Sequence, residues 1–571
     1  MNKETTKLLE QHFDTAFDTP DGIKKLRELI LTLAMQGKLV PQDPNDQPAS
    51  ELLKEIAAEK ARLIKAGKLK PQKPLLPINP EEIPYQLPAN WQWVRFGDIA
   101  LIERGGSPRP IKAYLTDDPN GLNWIKIGDT DQGGKYITST NEKIRQEGLA
   151  KTRMVYPGDF LLTNSMSFGR PYITKIAGCI HDGWLRISPP DSLEKDFLYH
   201  LLSSSFVRKM FELAAAGAVV LNLNSEKVRE LPIPLPTIAE QKRIVARIEQ
   251  LMARCDELER LRAERDRMRL DTHAAAINQL LSASDGENFS SAWRFITSNF
   301  AELYSVKENV AELRKTILQL AVMGKLVPQN PNDQPASELL KEIAAEKARL
   351  IKAGKLKPQK PLPPIKPEEI PFKVPSGWQI ARFGSVTTEI ATGPFGSMIH
   401  KSDYIKNGIP LINPSHMING EIVHDADVTV KDEKALELNS YRLHTGDIVM
   451  ARRGEMGRCA VVKANANNWL CGTGSFVLRF INSINRQFIV QLLNSEKVRA
   501  YLGGNSVGTT MTNLNHGIVN NMVIFLPPLA EQKRIVARVD QLMALCDNLE
   551  QNITAAADSR TALLNALMAN V

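Results

Sequence analysis

No stretch of about 18 consecutive apolar residues occurs in this 571-residue chain, so no transmembrane helix is expected. The start, MNKETTKLLEQHFDTAF, lacks a basic stretch followed by an apolar core, and no signal peptide is expected either. Cysteine is scarce. Cys179, Cys255, Cys459, Cys471 and Cys546 are scattered, odd in number and form no C-x-x-C, which excludes a disulfide scaffold and fits reduced thiols in a cytoplasm. A composition of 43% hydrophobic and 24% charged residues excludes collagen and wholesale disorder. Charge imbalance is small as well: 72 Lys+Arg against 64 Asp+Glu gives +8, a lean toward a polyanionic partner that is weak for this length. At roughly 150 residues per domain, three or four core-forming units are expected.

Catalytic signatures are missing too. A methyltransferase needs a Gly-rich cofactor loop and an N/D-P-P-Y/F turn; Asn413-Pro414-Ser415-His416 lacks the second proline and the aromatic. A phosphate-cradling loop needs G-x-x-x-x-G-K-[ST]; GGNSVGTT (503–510) lacks the lysine and reads as a flexible loop. No H-E-x-x-H or Cys/His spacing suits a metal. GTGSF (472–476) is not G-x-S-x-G, and the pair Asp117-Asp118 reads as a solvated turn.

What is present is a duplication. Residues 44–75, PNDQPASELLKEIAAEKARLIKAGKLKPQKPL, return unchanged at 331–362. LRELILTLAMQGKLVPQ (26–42) matches LRKTILQLAVMGKLVPQ (313–329), and the stretch from 80 to 99 matches 367–386. LPTIAEQKRIVARIEQLMARCDELE (235–259) matches LPPLAEQKRIVARVDQLMALCDNLE (526–550). A single large unit is written twice, unlike the short periods of a solenoid. Between the near-identical parts lie two divergent inserts, about 91–235 and 378–526, sharing only a skeleton such as YPGDFLLTN against HTGDIVMAR. Drift spreads changes evenly; these are concentrated.

In the scaffold, Ile244, Ile248, Leu251, Cys255 and Leu258 step by 4, 3, 4, 3, as do Ile535, Val539, Leu542, Cys546 and Leu549. That apolar seam predicts helix-on-helix packing over about 240–281 and from 531 onward. LRKTILQLAVMGKLV, capped by Gly324, is the expected partner of the first seam in a hairpin over 240–325. The helix from 531 is expected to pair with LRELILTLAMQGKLV near the start, bringing the chain ends together. SELLKEIAAEKARLIKAGKLK (50–70) predicts a charged helix followed by a solvated Pro/Lys-rich stretch. The inserts mix β-rich runs (NWIKIGD, DFLLTN, IPLINP, SFVLRF) with helical ones, so each is an α+β domain.

Polar loops at matching places in the inserts carry the chemistry. The first insert offers Arg104, Gly105, Ser107, Arg109 and Lys112, then Lys126, Asp129 and Thr130, then Asn164, Ser165, Ser167 and Arg170. The second offers Thr392 and Ser397, then Asn413, Ser415 and His416, then Arg452, Arg453 and Arg458. Arg suits guanine edges, Asn or Gln adenine edges, and Ser or Thr serves phosphate or base. The inserts carry 18 Lys+Arg against 16 Asp+Glu, and 14 against 11, so bulk charge does not supply affinity. Two readers of different short DNA sequences fit this pattern. A self-sufficient methyltransferase or nuclease, and a coiled-coil adaptor that binds only proteins, are the alternatives.

The paired AEQKRIVARIEQLM and AEQKRIVARVDQLM, the two LR-x-x-IL-x-LA-x-x-GKLV helices and the G-D-[FI]-[LV] strands resemble the specificity subunit of a type I restriction-modification system over essentially the whole chain. The resemblance implies an α+β fold in which two target-recognition domains are joined by long antiparallel coiled-coil spacers in a pseudo-two-fold circular arrangement. The expected parts are an N-terminal spacer (1–43), an arm (44–90), a first target-recognition domain (91–235), a central hairpin spacer (236–330), a repeated arm (331–377), a second target-recognition domain (378–526) and a C-terminal spacer (527–571). It further implies a non-catalytic chain that binds double-stranded DNA, no membrane, two modification (methyltransferase) subunits and restriction (ATP-dependent translocase/endonuclease) subunits. S-adenosylmethionine, ATP and Mg are expected on those partners, and no cofactor on this chain. The half-sites are expected to differ and to lie about one helical turn apart, roughly 34–36 Å.

Overall fold

Two long helices form where the apolar spacing predicts them, Ile238–Ser282 and Leu529–Ala569. Each follows a Pro-containing turn and has a glutamate in its first turn, Glu240 or Glu531. The Thr237 hydroxyl accepts the Glu240 N–H at 3.1 Å, satisfying one of the free donors of a helix start. These are features of a computed structural model, which describes residues 3–67, 69, 71–131, 133–164, 169–215, 223–418, 420–505 and 513–569.

The chain divides into two compact units, Met1–Glu264 with Ala556–Val571, and Arg265–Ala555. The division falls inside the two long helices.

In the first unit, helix Gly22–Met35 contributes Leu26, Leu29 and Ile30 to the same core as Ile244, Ile248 and Cys255. Arg27 reaches Asp256 at 2.5 Å and Glu259 at 2.9 Å. Leu564 and Leu567, near the end of the chain, complete that core. The second unit repeats the arrangement. Helix Lys307–Val322 shares a core with Ile535, Val539 and Cys546, and Arg314 pairs with Asp547 at 2.6 Å and Glu550 at 3.2 Å. Its core also takes Ala276, Ile277 and Leu280 from the end of the earlier long helix.

This corrects the expected pairing. The seam Ile244–Cys255 packs on the N-terminal helix, not on 313–323, because each copy of the repeat closes on its own first and last helices. Leu258 also leaves the seam: the packed face continues through Glu259 and Arg262, which bond Arg27 and the Thr19 carbonyl, and Leu258 is 43% exposed. Leu251, Leu542 and Leu549 pack at the margins of the cores. Between the long helix and Lys307–Val322 lie two further helices, Gly286–Ser298 and Phe300–Leu303. Gly324 ends its helix as expected, with φ +69° and the Lys325 N–H returning to the Leu320 carbonyl at 2.9 Å.

The arm is tied down. Helix Ala49–Lys65 buries Ala49, Leu52 and Ile56, and the Lys60 ammonium donates to the Gly97 and Asp98 carbonyls, both at 2.7 Å. Past the helix the chain is largely exposed until the buried Arg95 grips it. Arg95 forks onto Glu82 (2.7 and 2.8 Å) and donates to the Leu76 and Pro77 carbonyls. Arg382 repeats this with Glu369, Pro363 and Pro364.

Each insert is closed at its neck by its own two ends. Gln92–Arg95 pairs antiparallel with Pro232–Leu235, and Gln379–Arg382 with Val523–Leu526. The first insert then builds two five-stranded sheets. One runs Leu101–Arg104, Trp184–Ser188, Phe160–Thr163, Pro171–Thr174, Tyr136–Ile137. The other runs Leu115–Thr116, Glu142–Ile144, Leu122–Ile125, Gly178–Ile180, Arg153–Val155. The second insert keeps the cores of both as four-stranded sheets: Glu389–Thr392, Ser475–Arg479, Ile448–Ala451, Cys459–Val461, and Tyr404–Ile405, Thr429–Val430, Ile409–Ile412, Leu470–Cys471. Buried strand positions combine β-branched and aromatic residues such as Ile102, Phe160, Ile173, Val449 and Phe476, which a pleated surface favours, with Leu161, Leu185 and Leu478.

Candidate nucleic-acid interface

Strand register brings the predicted loops together. In the first insert Arg104 lies opposite Leu185 and Thr163 opposite Trp184. The antiparallel pairing therefore puts the ends of two strands beside the start of a third. In the other sheet Ile125 and Ile180 are partners in a parallel pair, so the segments that follow them leave side by side. The loops from 105, 126, 164 and 181 thus emerge at one edge. In the second insert Thr392 opposes Phe476, Ala451 opposes Ser475, and Ile412 pairs in parallel with Cys471, which gathers the loops from 393, 413, 452 and 472.

In the first insert the meeting point is Asp182, which is not among the residues the sequence predicts. Ser107 Oγ donates to Asp182 Oδ1 at 2.5 Å, and Arg109 Nη2 lies 3.3 Å from Oδ2. The Asp182 carbonyl accepts from Asn164 Nδ2 at 2.7 Å and Arg104 Nε at 3.3 Å. The Ser107 hydroxyl holds the Asp182 carboxyl below the usual carboxylate range. Gly105 is required because a Cβ there would sit 2.2 Å from the His181 carbonyl; its N–H donates to Trp184. Its glycine serves the packing of two loops. Arg104, Arg109, Lys112 and Arg170 are exposed. Arg109, Lys112 and Lys126 border an open cleft of about 1150 Å³ floored by Trp124, Ile127 and His181. His181 Nδ1 faces the Gly183 N–H at 2.8 Å and Nε2 the Ile127 N–H at 3.2 Å, and burial pushes its pKa down.

Other predicted residues have internal tasks. Asn164 is 1% exposed and braces the Asp182 turn, so it is framework and not a reader. Lys126 pairs with Glu142 at 2.7 Å, Asp129 accepts the Lys126 N–H at 2.8 Å and Asn141 Nδ2 at 2.9 Å, and the Thr130 hydroxyl donates to Ile127. Ser165 and Ser167 lie outside the described residues, as does most of GGNSVGTT.

In the second insert Ser397, Ser415 and Arg453 are exposed, and Thr392, Asn413, Arg452 and Arg458 are half-buried. Arg452 stands 5.5 Å from the Phe476 ring centroid; burial, and then its neighbour Arg453, lower its pKa. Arg453 Nε donates to Asn513 Oδ1 at 2.5 Å, and Thr392 Oγ1 lies 3.1 Å from His516 Nε2. Asn513, His516 and Phe476 were missed. His416 is corrected: at 8% exposure it is a turn-closing residue, its Nδ1 accepting the Asn413 N–H at 3.3 Å. Arg458 is held by Glu455 at 2.9 Å. The repeat alignment of IHDGWL with CGTGSF was the available signal for the missed hub, since His181-Asp182-Gly183 and Gly472-Thr473-Gly474 lead into equivalent strands.

Among the described residues no group of three or more His, Cys, Asp or Glu is placed to hold a metal ion, and no helix is long and apolar enough to cross a membrane. The structure is a repeated frame carrying two unlike sets of exposed basic and polar loops. Comparison with known proteins identifies the family. Residues 88–265 and 375–558 match the family described as the type I restriction modification DNA specificity domain. The chain is 33% identical to the type I restriction enzyme EcoEI specificity subunit of Escherichia coli, covering 96% of this chain and 93% of that protein. It is 34% identical to the EcoAI specificity subunit of Escherichia coli over the same shares. The solved HsdS subunit from Thermoanaerobacter tengcongensis is 21% identical, covering 85% of this chain and 98% of that one, with a TM-score of 0.41. The chain belongs to the type I restriction-modification DNA specificity family, and its role is that of a DNA-specificity subunit.

Proposed function

We propose that each insert reads one half of a bipartite, asymmetric DNA target, and that the chain does so without catalysis of its own. The carrying observation is the register-driven gathering of four loops at one edge of each insert, with different side chains on an equivalent framework. Arg104, Arg109, Lys112 and Arg170 serve the first half-site; Arg452 and Arg453, with Thr392, Ser397 and Ser415, serve the second. The two long helices act as coiled-coil spacers in a pseudo-two-fold, circular frame. The shared core of Gly22–Met35 with Leu564 and Leu567 supports the closing of that circle. Two modification subunits and the restriction subunits assemble on this chain in the cytoplasm. They, and not this chain, carry the S-adenosylmethionine, ATP and Mg chemistry.

Mapping methylated bases genome-wide in a strain carrying the whole system tests this. The expected outcome is a two-part motif with unlike halves and a fixed unspecified gap. A palindromic or uninterrupted motif would sink the reading. Transfer of a methyl group by this chain purified alone would restore the self-sufficient methyltransferase.

A further inference from the structure

Asp182 presents a puzzle that the recognition role does not absorb. A carboxylate stands at the centre of the loop edge of the first insert, where the ligand is a polyanion. Its side chain is 41% exposed and is not neutralised by a buried partner. Like-charge repulsion from phosphate makes such a group costly at a nucleic-acid surface unless it does something specific there.

Its contacts show what that is. The side chain and backbone of Asp182 hold residues from two segments that are distant from it in sequence, 104–109 and Asn164. Ser107 bonds Asp182 twice: its Oγ donates to Oδ1 at 2.5 Å and accepts the Asp182 N–H at 3.2 Å. Asn164 Nδ2 and Arg104 Nε both donate to the Asp182 carbonyl. Oδ2 faces Arg109 Nη2 at 3.3 Å while the Arg109 side chain stays 80% exposed. So one oxygen anchors the loop and the other restrains an exposed cation of the edge. A restrained guanidinium keeps its remaining donors in a fixed fork, as bidentate contact with a guanine edge requires. A freely rotating one settles on phosphate, which carries no sequence information. The second insert places Thr473 at the equivalent turn, and there Arg453 is held by Asn513.

We infer that Asp182 is a positioning residue for specificity in the first insert: it orients Arg109, through Oδ2, toward a base edge. This rests on the reading of the inserts as DNA readers. The carboxylate touches no base in this scheme; it acts through Arg109 and Ser107.

The test uses the assembled complex of this chain with its modification subunits. Equilibrium binding is measured on duplexes bearing the mapped target and single-base changes in each half. Wild type is expected to discriminate in both halves; absence of discrimination in either would overturn the reader assignment itself. Asp182→Ala is expected to lower discrimination at one position of one half-site by about tenfold, the range of a single bidentate base contact, with the other half-site unaltered. Asp182→Glu is expected to restore part of it. Arg109→Ala is expected to relax the same position, and the double variant to lose no more than Arg109→Ala alone. The inference is overturned if wild type discriminates and Asp182→Ala weakens all duplexes equally, if it tightens all of them equally, or if its effect adds to that of Arg109→Ala. A folding defect is separated by the unaltered half-site, which a damaged complex would not preserve.

Discussion

Arg109 and Arg453 are both exposed arginines at the ends of equivalent loop sets, held by Asp182 and Asn513 respectively. Truncating each to alanine is expected to impair one half-site apiece, by about 1–3 kcal/mol for a base contact, in binding measured across single-base variants. A uniform loss with a shallower salt slope would instead mark phosphate contacts. His181 adds a pH dependence. Its two ring nitrogens both face backbone N–H donors, so the doubly protonated ring has no acceptor, and burial lowers its pKa below the ordinary 6.5; Lys126 acts in the same direction, Asp182 and Asp129 against it. The folded state then binds fewer protons than the unfolded one. The contribution is present above pH about 6.5 and is lost as pH falls through the folded value. A first-unit unfolding midpoint that falls between pH 7 and pH 5, and does so less in His181→Gln, is the expected result. Of the loop residues, the exposed cations were readable from the sequence. Asp182 was not legible from its own loop, because its position depends on which strand ends meet; only the alignment of the two repeats points to its turn.

At the scale of elements, the stepped apolar spacing located both long helices but not their neighbours. Period tells which face is buried, and the duplication supplies two equivalent candidates to cover it. The charges were the unused arbiter: Arg27 with Asp256, and Arg314 with Asp547, recur at matching repeat positions. Ile248 is fully buried in the first core, so Ile248→Ala is expected to cost about 2–5 kcal/mol in chemical denaturation, whereas Leu258→Ala, at an exposed site, should stay within about 0.5 kcal/mol. The Pro/Lys-rich stretch read as solvated, and most of it is. What composition did not disclose is its fastening, since the arginine that grips it lies in the insert's neck strand. Arg95→Ala removes a buried cation with two carboxylate and three carbonyl acceptors. It is expected to cost at least about 1.5–3 kcal/mol and to open residues 71–84 to limited proteolysis.

For the whole molecule, duplication was the most legible feature, and it set the fold class before any strand was placed. The two units each hold an insert, an arm and a pair of helices, and both long helices cross from one unit into the other. If these helices set the distance between half-sites, four residues added to each near the crossing should lengthen it by about 6 Å. The unspecified gap should grow by about two base pairs while both half-site sequences persist. Methylation mapping of the variant system measures this directly.

The shared core at the chain ends has a genetic corollary. Leu563, Leu564, Leu567 and Met568 serve the unit that contains the first insert, although more than three hundred residues separate them from it in sequence. Replacing Leu564 and Leu567 together by alanine would therefore spare the second reader and cripple the one encoded more than three hundred codons upstream.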